Sequence, residues 1–454
     1  MKKTHFIAIG GAIMHQLALD LQKQGYHISG SDDEINDPAR TNLQVAGLLP
    51  EQMGWFPDKI TSDIDEIVLG MHAKADNPEL LKAQTLGIPI YSFPEYVYNL
   101  SQNKKRVVVA GSHGKTSITS MIMHVLRYHH YDFDYLVGAK LEGFEQSVKI
   151  SNAPLIILEG DEYPASVIEK KPKIFFYQPH ISVLSGIAWD HINVFPTYDN
   201  YCSQFTQYLE MMPAQSRLFY NAEDPEVLRI VAAAQGQFTA SPYHTPAFYY
   251  KGLEAVLKLE DQADIALKIF GKHNLLNLNA AKAVLLELGL SEQQFYEAIA
   301  GFKGASKRLE KFYESRFLTV FRDFAHAPSK LKATLDAVKE ALPKNPVIAC
   351  FELHTFSSLN ETFLKEYQDS MRAADYALVY FSHHALQLKG LAALDPLKVK
   401  HYFNREDLIV IDQKEVLEQT VYAQLKAFNQ QPCCLLLMSS GVFDGIQWDF
   451  DSLS

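Results

Sequence analysis

The chain is poor in cysteine, with Cys202, Cys350, Cys433 and Cys434 the only four among 454 residues. They are scattered or vicinal, which gives neither a disulfide framework nor the paired spacing of a zinc site. Reduced thiols in a cytoplasmic protein fit this usage. No apolar run approaches the roughly 20 residues that a membrane helix needs. Lys2 and Lys3 precede the apolar stretch 6–14, but Gly10 and Gly11 interrupt it and no cleavage site follows. It reads as a strand entering a turn rather than as a signal peptide. No block of Lys or Arg stands out and the net charge is −11, so the electrostatic footprint of a nucleic-acid partner is missing. Solenoid repeats and low-complexity tracts are missing too.

The hydrophobic fraction of 47% is ample for packed units, and the length is that of several domains rather than one. Short apolar runs at 5–9, 26–29, 66–71 and 88–91 alternate with helical patterns such as 14–24 and predict a first α/β unit, 1–103. Strands at 154–158, 174–177 and 181–184 and a helix at 274–288 belong to a second unit, 104–306. Strands at 318–321, 347–351, 376–380, 408–411 and 434–438, with a helix at 329–341, belong to a third, 307–454. A mostly parallel sheet flanked by helices is expected in each: Rossmann-like, P-loop and again Rossmann-like.

The second unit opens on Val107-Val108-Val109-Ala110-Gly111-Ser112-His113-Gly114-Lys115-Thr116-Ser117, a strand, a glycine turn and a helix start. Backbone N–H groups of such a turn point at an anion, and the helix N-terminus adds to the field. Lys115 supplies a point charge to the outer phosphates of a nucleotide, and Thr116 a hydroxyl where a phosphate-bound Mg²⁺ would sit. Mg²⁺ needs hard oxygen ligands at neighbouring strand ends, which makes Glu159, closing the run Leu155-Ile156-Ile157-Leu158, the candidate. His191 follows the strand 181–184, in Trp189-Asp190-His191. From the residues alone, a hydrogen-bonded histidine is its plainer account, because magnesium prefers oxygen. Asn274 and Asn277, at a helix start in Gly271-Lys272-His273-Asn274-Leu275-Leu276-Asn277, are by the same standard better read as capping residues. Arg308, and Asp323 at a strand end, could serve a γ-phosphate and a ribose hydroxyl, or be surface charge and turn. In the first unit, Asp32 follows the second strand about twenty residues after Gly10-Gly11, where a Rossmann-like half meets a ribose or sugar edge.

These pieces, in this order, resemble the Mur ligase family of ATP-dependent amide-bond ligases in cell-wall peptidoglycan biosynthesis. The similarity rests on Gly111-Ser112-His113-Gly114-Lys115-Thr116, Glu159-Gly160-Asp161-Glu162, Asp190-His191, Gly271 to Asn277, Lys307-Arg308, and Asp323-Phe324-Ala325-His326-Ala327-Pro328. The resemblance implies a UDP-sugar domain, a central ATPase domain and a C-terminal domain. It implies Lys115, His191 and Arg308 as catalytic residues, and Thr116, Glu159 and His191 as metal ligands. ATP would be held by Gly111, Ser112, His113, Gly114, Lys115, Thr116, Ser117, His273, Asn274, Asn277, Asp323 and His326, with Asn274 at the adenine, Asp323 at the ribose and Arg308 at the transferred phosphate. The UDP-sugar would meet Gly10, Gly11, Ala12, Met14, Ser31, Asp32 and His72. The substrate carboxylate becomes an acyl phosphate, which an amine then attacks.

Two branches of the family act on UDP-N-acetylmuramate, one adding L-alanine and the other attaching L-Ala-γ-D-Glu-meso-diaminopimelate in peptidoglycan recycling. Asp161-Glu162-Tyr163 with Lys171-Pro172-Lys173, His191-Ile192-Asn193-Val194-Phe195, and Met438-Ser439-Ser440-Gly441-Val442-Phe443-Asp444-Gly445-Ile446 look like the tripeptide branch. Ile13 stands where the sugar loop usually has glycine. Phe351-Glu352-Leu353-His354-Thr355-Phe356-Ser357-Ser358 lacks the Pro and Arg that both branches often carry. No lysine lies between His191 and Arg217, unlike relatives with a modified metal-binding lysine. A Mur-like protein that binds UDP-sugar and ATP without ligating, and a plain P-loop NTPase, are the alternatives of other classes.

Overall fold

The computed structural model describes every residue except 139, 140, 142, 145, 261, 262, 429, 430 and 452–454. The chain forms two compact units: Met1–Ile187 with Cys202–Tyr243 and Ala283–Leu288, and Ala188–Tyr201 with His244–Lys282 and Gly289–Ser454.

The first unit contains two sheets. One is all parallel, in the order His27–Ser31, Lys3–Ile7, Glu66–Leu69, Ile90–Ser92. The other runs Thr239–Tyr243, Arg217–Asn221, Ile181–Leu184, Lys105–Ala110, Leu155–Glu159, Asp134–Leu136, Val148–Lys149, parallel except for the last pair. The central strands are β-branched and apolar because helices cover both faces of such a sheet; Val107, Val108, Val109, Ile156 and Ile157 are fully buried. Helix starts follow local chemistry. Asn77 accepts from the amides of Glu79 (3.0 Å) and Leu80 (3.1 Å) ahead of helix Pro78–Thr85, which begins with proline. Within this unit the helix Met14–Lys23 is tied to the larger sheet: the Asp20 carboxylate accepts from Ile150 N (2.6 Å) and the Gln16 amide oxygen from the Ser147 hydroxyl (2.9 Å).

The second unit is built on the sheet Glu310–Glu314, Leu318–Asp323, Cys433–Met438, Val347–Leu353, Tyr376–Phe381, Ile409–Ile411, parallel except for the first pair. Its core gathers Val320, Ile348, Leu378, Leu417, Val421 and Leu435. A small antiparallel sheet, Phe248–Lys251, Glu254–Leu257 and Ile265–Ala266, was not anticipated. The three mostly parallel sheets match the expected α/β class.

One predicted strand is absent. Residues Lys173–Phe176 form a 3-10 helix, although Ile174, Phe175 and Phe176 favour strands. Pro172 and Pro179 bracket the segment and Gln178 is left-handed at φ 40°. The position beside Lys105–Ala110 is taken by Ile181–Leu184. Among the described residues, no helix is long and apolar enough to cross a membrane.

Candidate active site

The phosphate loop lies at the carboxyl end of Lys105–Ala110, in the middle of the seven-stranded sheet and ahead of helix Lys115–Tyr128. Gly111 has φ 122°, and a Cβ there would lie 2.4 Å from Ser185 Oγ and 2.9 Å from the Gly186 carbonyl oxygen. Only glycine fits, because the obstacle includes backbone. The loop is held from the next strand end: Ser112 N donates to Gly186 O (2.8 Å), and the Ser185 hydroxyl donates to Ala110 O (3.0 Å) and to His113 O. Ser112 and Ser117 are buried, and His113 and Gly114 half-buried.

The Lys115 ammonium donates to the Gly111 carbonyl (2.5 Å) and to Glu162 (2.8 Å). Burial works against its charge, but Glu162, Asp161 and Glu159 outweigh it and the net shift is upward, so it is a cation at neutral pH. Thr116 Oγ1 donates to Glu159 Oε1 (2.7 Å), and Gly138 N to Glu159 Oε2 (2.8 Å). A hydroxyl and a carboxylate thus meet beside the lysine, a hard-oxygen pair of the kind Mg²⁺ takes. Glu162 and Ser185 were not singled out from the sequence as site residues. Their signals were the second carboxylate after Glu159 and a hydroxyl between a strand and Gly186.

At the edge of the four-stranded sheet, Gly10 N donates to Asp32 Oδ2 (2.7 Å). A Cβ on Gly10 would lie 2.9 Å from that oxygen and 2.8 Å from Ile35. The Asp32 carboxylate therefore braces the glycine loop, and burial pushes its pKa up. Ser31 is buried and its hydroxyl accepts from Lys59 Nζ (3.3 Å), Met14 is buried, Gly11 half-buried, and Ala12 and His72 exposed. Ile13 is in ordinary right-handed geometry at φ −89°, so the substitution of glycine imposes no positive φ at that position. The left-handed residue is Ala8, at φ 68°.

In the second unit, the segment bearing His191 (φ 56°) is fixed by Asp190, whose Oδ1 accepts from His191 N (2.7 Å) and whose Oδ2 is 3.3 Å from His326 Nε2. Burial opposes the Asp190 charge, yet His326, His191 and Lys330 hold its carboxyl well below the usual range. His326 Nδ1 donates to Phe324 O (2.9 Å). Asn274 Nδ2 donates to Phe270 O (2.9 Å), and Asn274 and Asn277 are buried while His273 is half-buried. Arg308 stacks on Phe324, 4.5 Å from the ring centroid, between two left-handed residues, Lys307 (φ 54°) and Leu309 (φ 50°). Leu309 N donates to Asp323 Oδ2 (2.5 Å), and Asp323 borders a cleft of about 250 Å³ with Lys307, Arg322, Ser439, Val442 and Trp448.

Residues 3–105 match the family model "Mur ligase family, catalytic domain" and residues 109–285 "Mur ligase middle domain". A UDP-N-acetylmuramate–L-alanine ligase of Clostridium acetobutylicum is 30% identical, over 89% of this chain and 88% of its own. The chain belongs to the Mur ligase family. Two solved structures extend the comparison. The UDP-N-acetylmuramate–alanine ligase of Thermotoga maritima has a TM-score of 0.69 at 20% identity, covering 98% of this chain and 97% of that one. The UDP-N-acetylmuramate:L-alanyl-γ-D-glutamyl-meso-diaminopimelate ligase of Neisseria meningitides has a TM-score of 0.61 at 25% identity, covering 67% and 98%. As a Mur ligase the chain is an ATP-dependent, ADP-forming amide-bond ligase, and the phosphate loop is the part of the fold that this chemistry needs.

Proposed function

We propose that this Mur ligase joins the carboxylate of UDP-N-acetylmuramate to the amino group of L-Ala-γ-D-Glu-meso-diaminopimelate, as a cytoplasmic enzyme of peptidoglycan recycling. The observation that carries the ligase chemistry is the Lys115, Thr116 and Glu159 cluster on the Gly111 to Gly114 turn. In this reading residues 1–103 bind the UDP-sugar through the Gly10-Gly11 loop, Ala12, Met14, Ser31, Asp32 and His72. Residues 104–306 bind ATP, and 307–454 bind the amine.

Lys115 neutralises the β- and γ-phosphate oxygens. Thr116 and Glu159 would hold Mg²⁺ and His191 would serve a second metal; a bound ion would supply charge neutralisation for phosphoryl transfer. His273, Asn274, Asn277, Asp323 and His326 serve the nucleotide, and Arg308 the transferred phosphate. These groups act by positioning and charge, which suits a reaction in which the acyl phosphate is reactive enough for an amine.

The tripeptide is supported by the resemblance of Asp161-Glu162-Tyr163 with Lys171-Pro172-Lys173, and of the 438–446 segment, to that branch, and by the name of the Neisseria protein. L-Alanine as the amine is the second reading, favoured by the name of the Clostridium relative. Mass analysis of the UDP-linked product formed with Mg²⁺-ATP separates them. The tripeptide adduct is expected. An alanine adduct alone moves the chain to the synthetic branch, and no adduct with retained UDP-sugar binding leaves the non-ligating reading.

A further inference from the structure

The loop after Val347–Leu353 and the loop after Cys433–Met438 leave the sheet side by side, because these strands are parallel neighbours with Phe351 opposite Met438. That is the carboxyl edge of a parallel sheet, where ligands of such folds bind. Glu352, 1% exposed, sits at this edge and is half used. Its Oε2 accepts from Phe443 N (2.9 Å) and from the Ser439 hydroxyl. Its Oε1 is buried without a hydrogen-bond partner, and so is His354 Nδ1, 3.6 Å away. A buried acceptor and a buried ring nitrogen, both otherwise unmatched, cost least when they serve one another. Closing less than an ångström makes that bond. Gly441 packs against the ring, since a Cβ there would lie 2.6 Å from Nδ1 and 2.8 Å from Cγ. The His354 side chain is nevertheless 37% exposed, although its Nδ1 is buried.

We infer that Glu352 is a positioning residue that fixes His354 as the Nδ1–H tautomer, leaving Nε2 to take the proton from the incoming ammonium group. The inference rests on the ligase reading above. The amine arrives as R–NH₃⁺ and cannot attack until it loses a proton. His354 Nε2 accepts that proton, the amine lone pair forms the C–N bond, the acyl C–O bond breaks with its electrons to phosphate, the second proton passes from the nitrogen to the departing phosphate to give HPO₄²⁻ and the neutral amide, and the imidazolium releases the first proton to water. A carboxylate behind an imidazole selects the tautomer in this way and stabilises the cation that forms.

Glu352→Gln separates this role from a structural one. The amide oxygen can keep accepting from Phe443 N and Ser439, while its NH₂ faces Nδ1 and favours the opposite tautomer, with Nε2 protonated. The full-length enzyme is given UDP-N-acetylmuramate, Mg²⁺-ATP and either the tripeptide or hydroxylamine, which is already uncharged at neutral pH. Amide formation is expected to fall about 100-fold, within the range for lost general-base catalysis, with hydroxamate formation unchanged. His354→Gln, at a partly exposed position, is expected to do the same. Equal loss of both products would make Glu352 a structural residue, and loss of neither would remove it from the reaction; either overturns the inference. Absence of both the amide and the hydroxamate from the wild-type enzyme would instead overturn the ligase reading on this substrate, and the inference with it.

Discussion

Single carboxylates in this chain carry different duties, and their surroundings decide which. Glu79 is fully buried, yet its carboxyl sits below the ordinary value of 4.5. Burial raises it, but His5 Nε2 (3.2 Å), the Phe56 amide (2.7 Å) and the Ser31 hydroxyl outweigh burial. A carboxyl lower in the folded than in the unfolded chain stabilises the fold above the unfolded value, and loses that contribution as the pH falls through the folded value. Glu79→Gln should therefore be less stable than wild type at pH 7, by on the order of 1–3 kcal/mol for a lost charged hydrogen-bonding group. The gap in urea unfolding free energy should narrow below pH 4.5; a gap constant with pH would mean that Glu79 contributes by shape alone. Nothing in the sequence marks this residue, because its partners lie 74 and 23 positions away. Lys115, Thr116 and Glu159 were legible for the opposite reason: a short glycine-punctuated motif and a strand end carry their geometry locally.

At the scale of elements, the parallel strands were legible wherever a β-branched run stood between turn residues, as at Ile181–Leu184, where expected and observed bounds coincide. The reading failed at 174–177, where aromatic residues fill a turn rather than a sheet. It also missed Phe248–Lys251, Glu254–Leu257 and Ile265–Ala266, strands too short to show a clear period. The turn at Arg308 is a third case. Two non-glycine residues, Lys307 and Leu309, adopt positive φ on either side of it, and no pattern in Lys307-Arg308-Leu309 announces that. Asp323, accepting from Leu309 N, and Glu310, accepting from Lys307 N (2.9 Å), hold the turn. A left-handed residue with a Cβ costs about 1–2 kcal/mol. Lys307→Gly should leave stability within about 0.5 kcal/mol of wild type, as relief of strain offsets glycine entropy. Lys307→Val should destabilise by about 1 kcal/mol or more, since a β-branched side chain resists that region most. Denaturant midpoints of the two variants check both; if valine is tolerated as well as glycine, the turn is not strained.

At the scale of the molecule, the first unit carries two loops of similar build on two sheets, Gly10-Gly11 braced by Asp32 and Gly111 to Gly114 braced by Ser185. A ligand that binds only the native state stabilises it by an amount set by its concentration relative to Kd, about 2.7 kcal/mol at a hundredfold excess. For a chain of this length that corresponds to an upward shift in Tm of a few degrees. Mg²⁺-ATP and UDP-N-acetylmuramate should each produce such a shift in the wild-type protein. Lys115→Met removes the cation of one loop and leaves Glu162 without its 2.8 Å partner, so its own Tm should fall, because breaking a buried pair from one side costs several kcal/mol. The informative quantity is the ligand increment on that lower baseline. ATP should lose its increment and UDP-N-acetylmuramate keep it, since Gly10, Asp32 and Ser31 belong to the other sheet edge. Loss of both increments would mean that Lys115 maintains the whole unit rather than its phosphate loop; retention of both would take the lysine out of nucleotide binding.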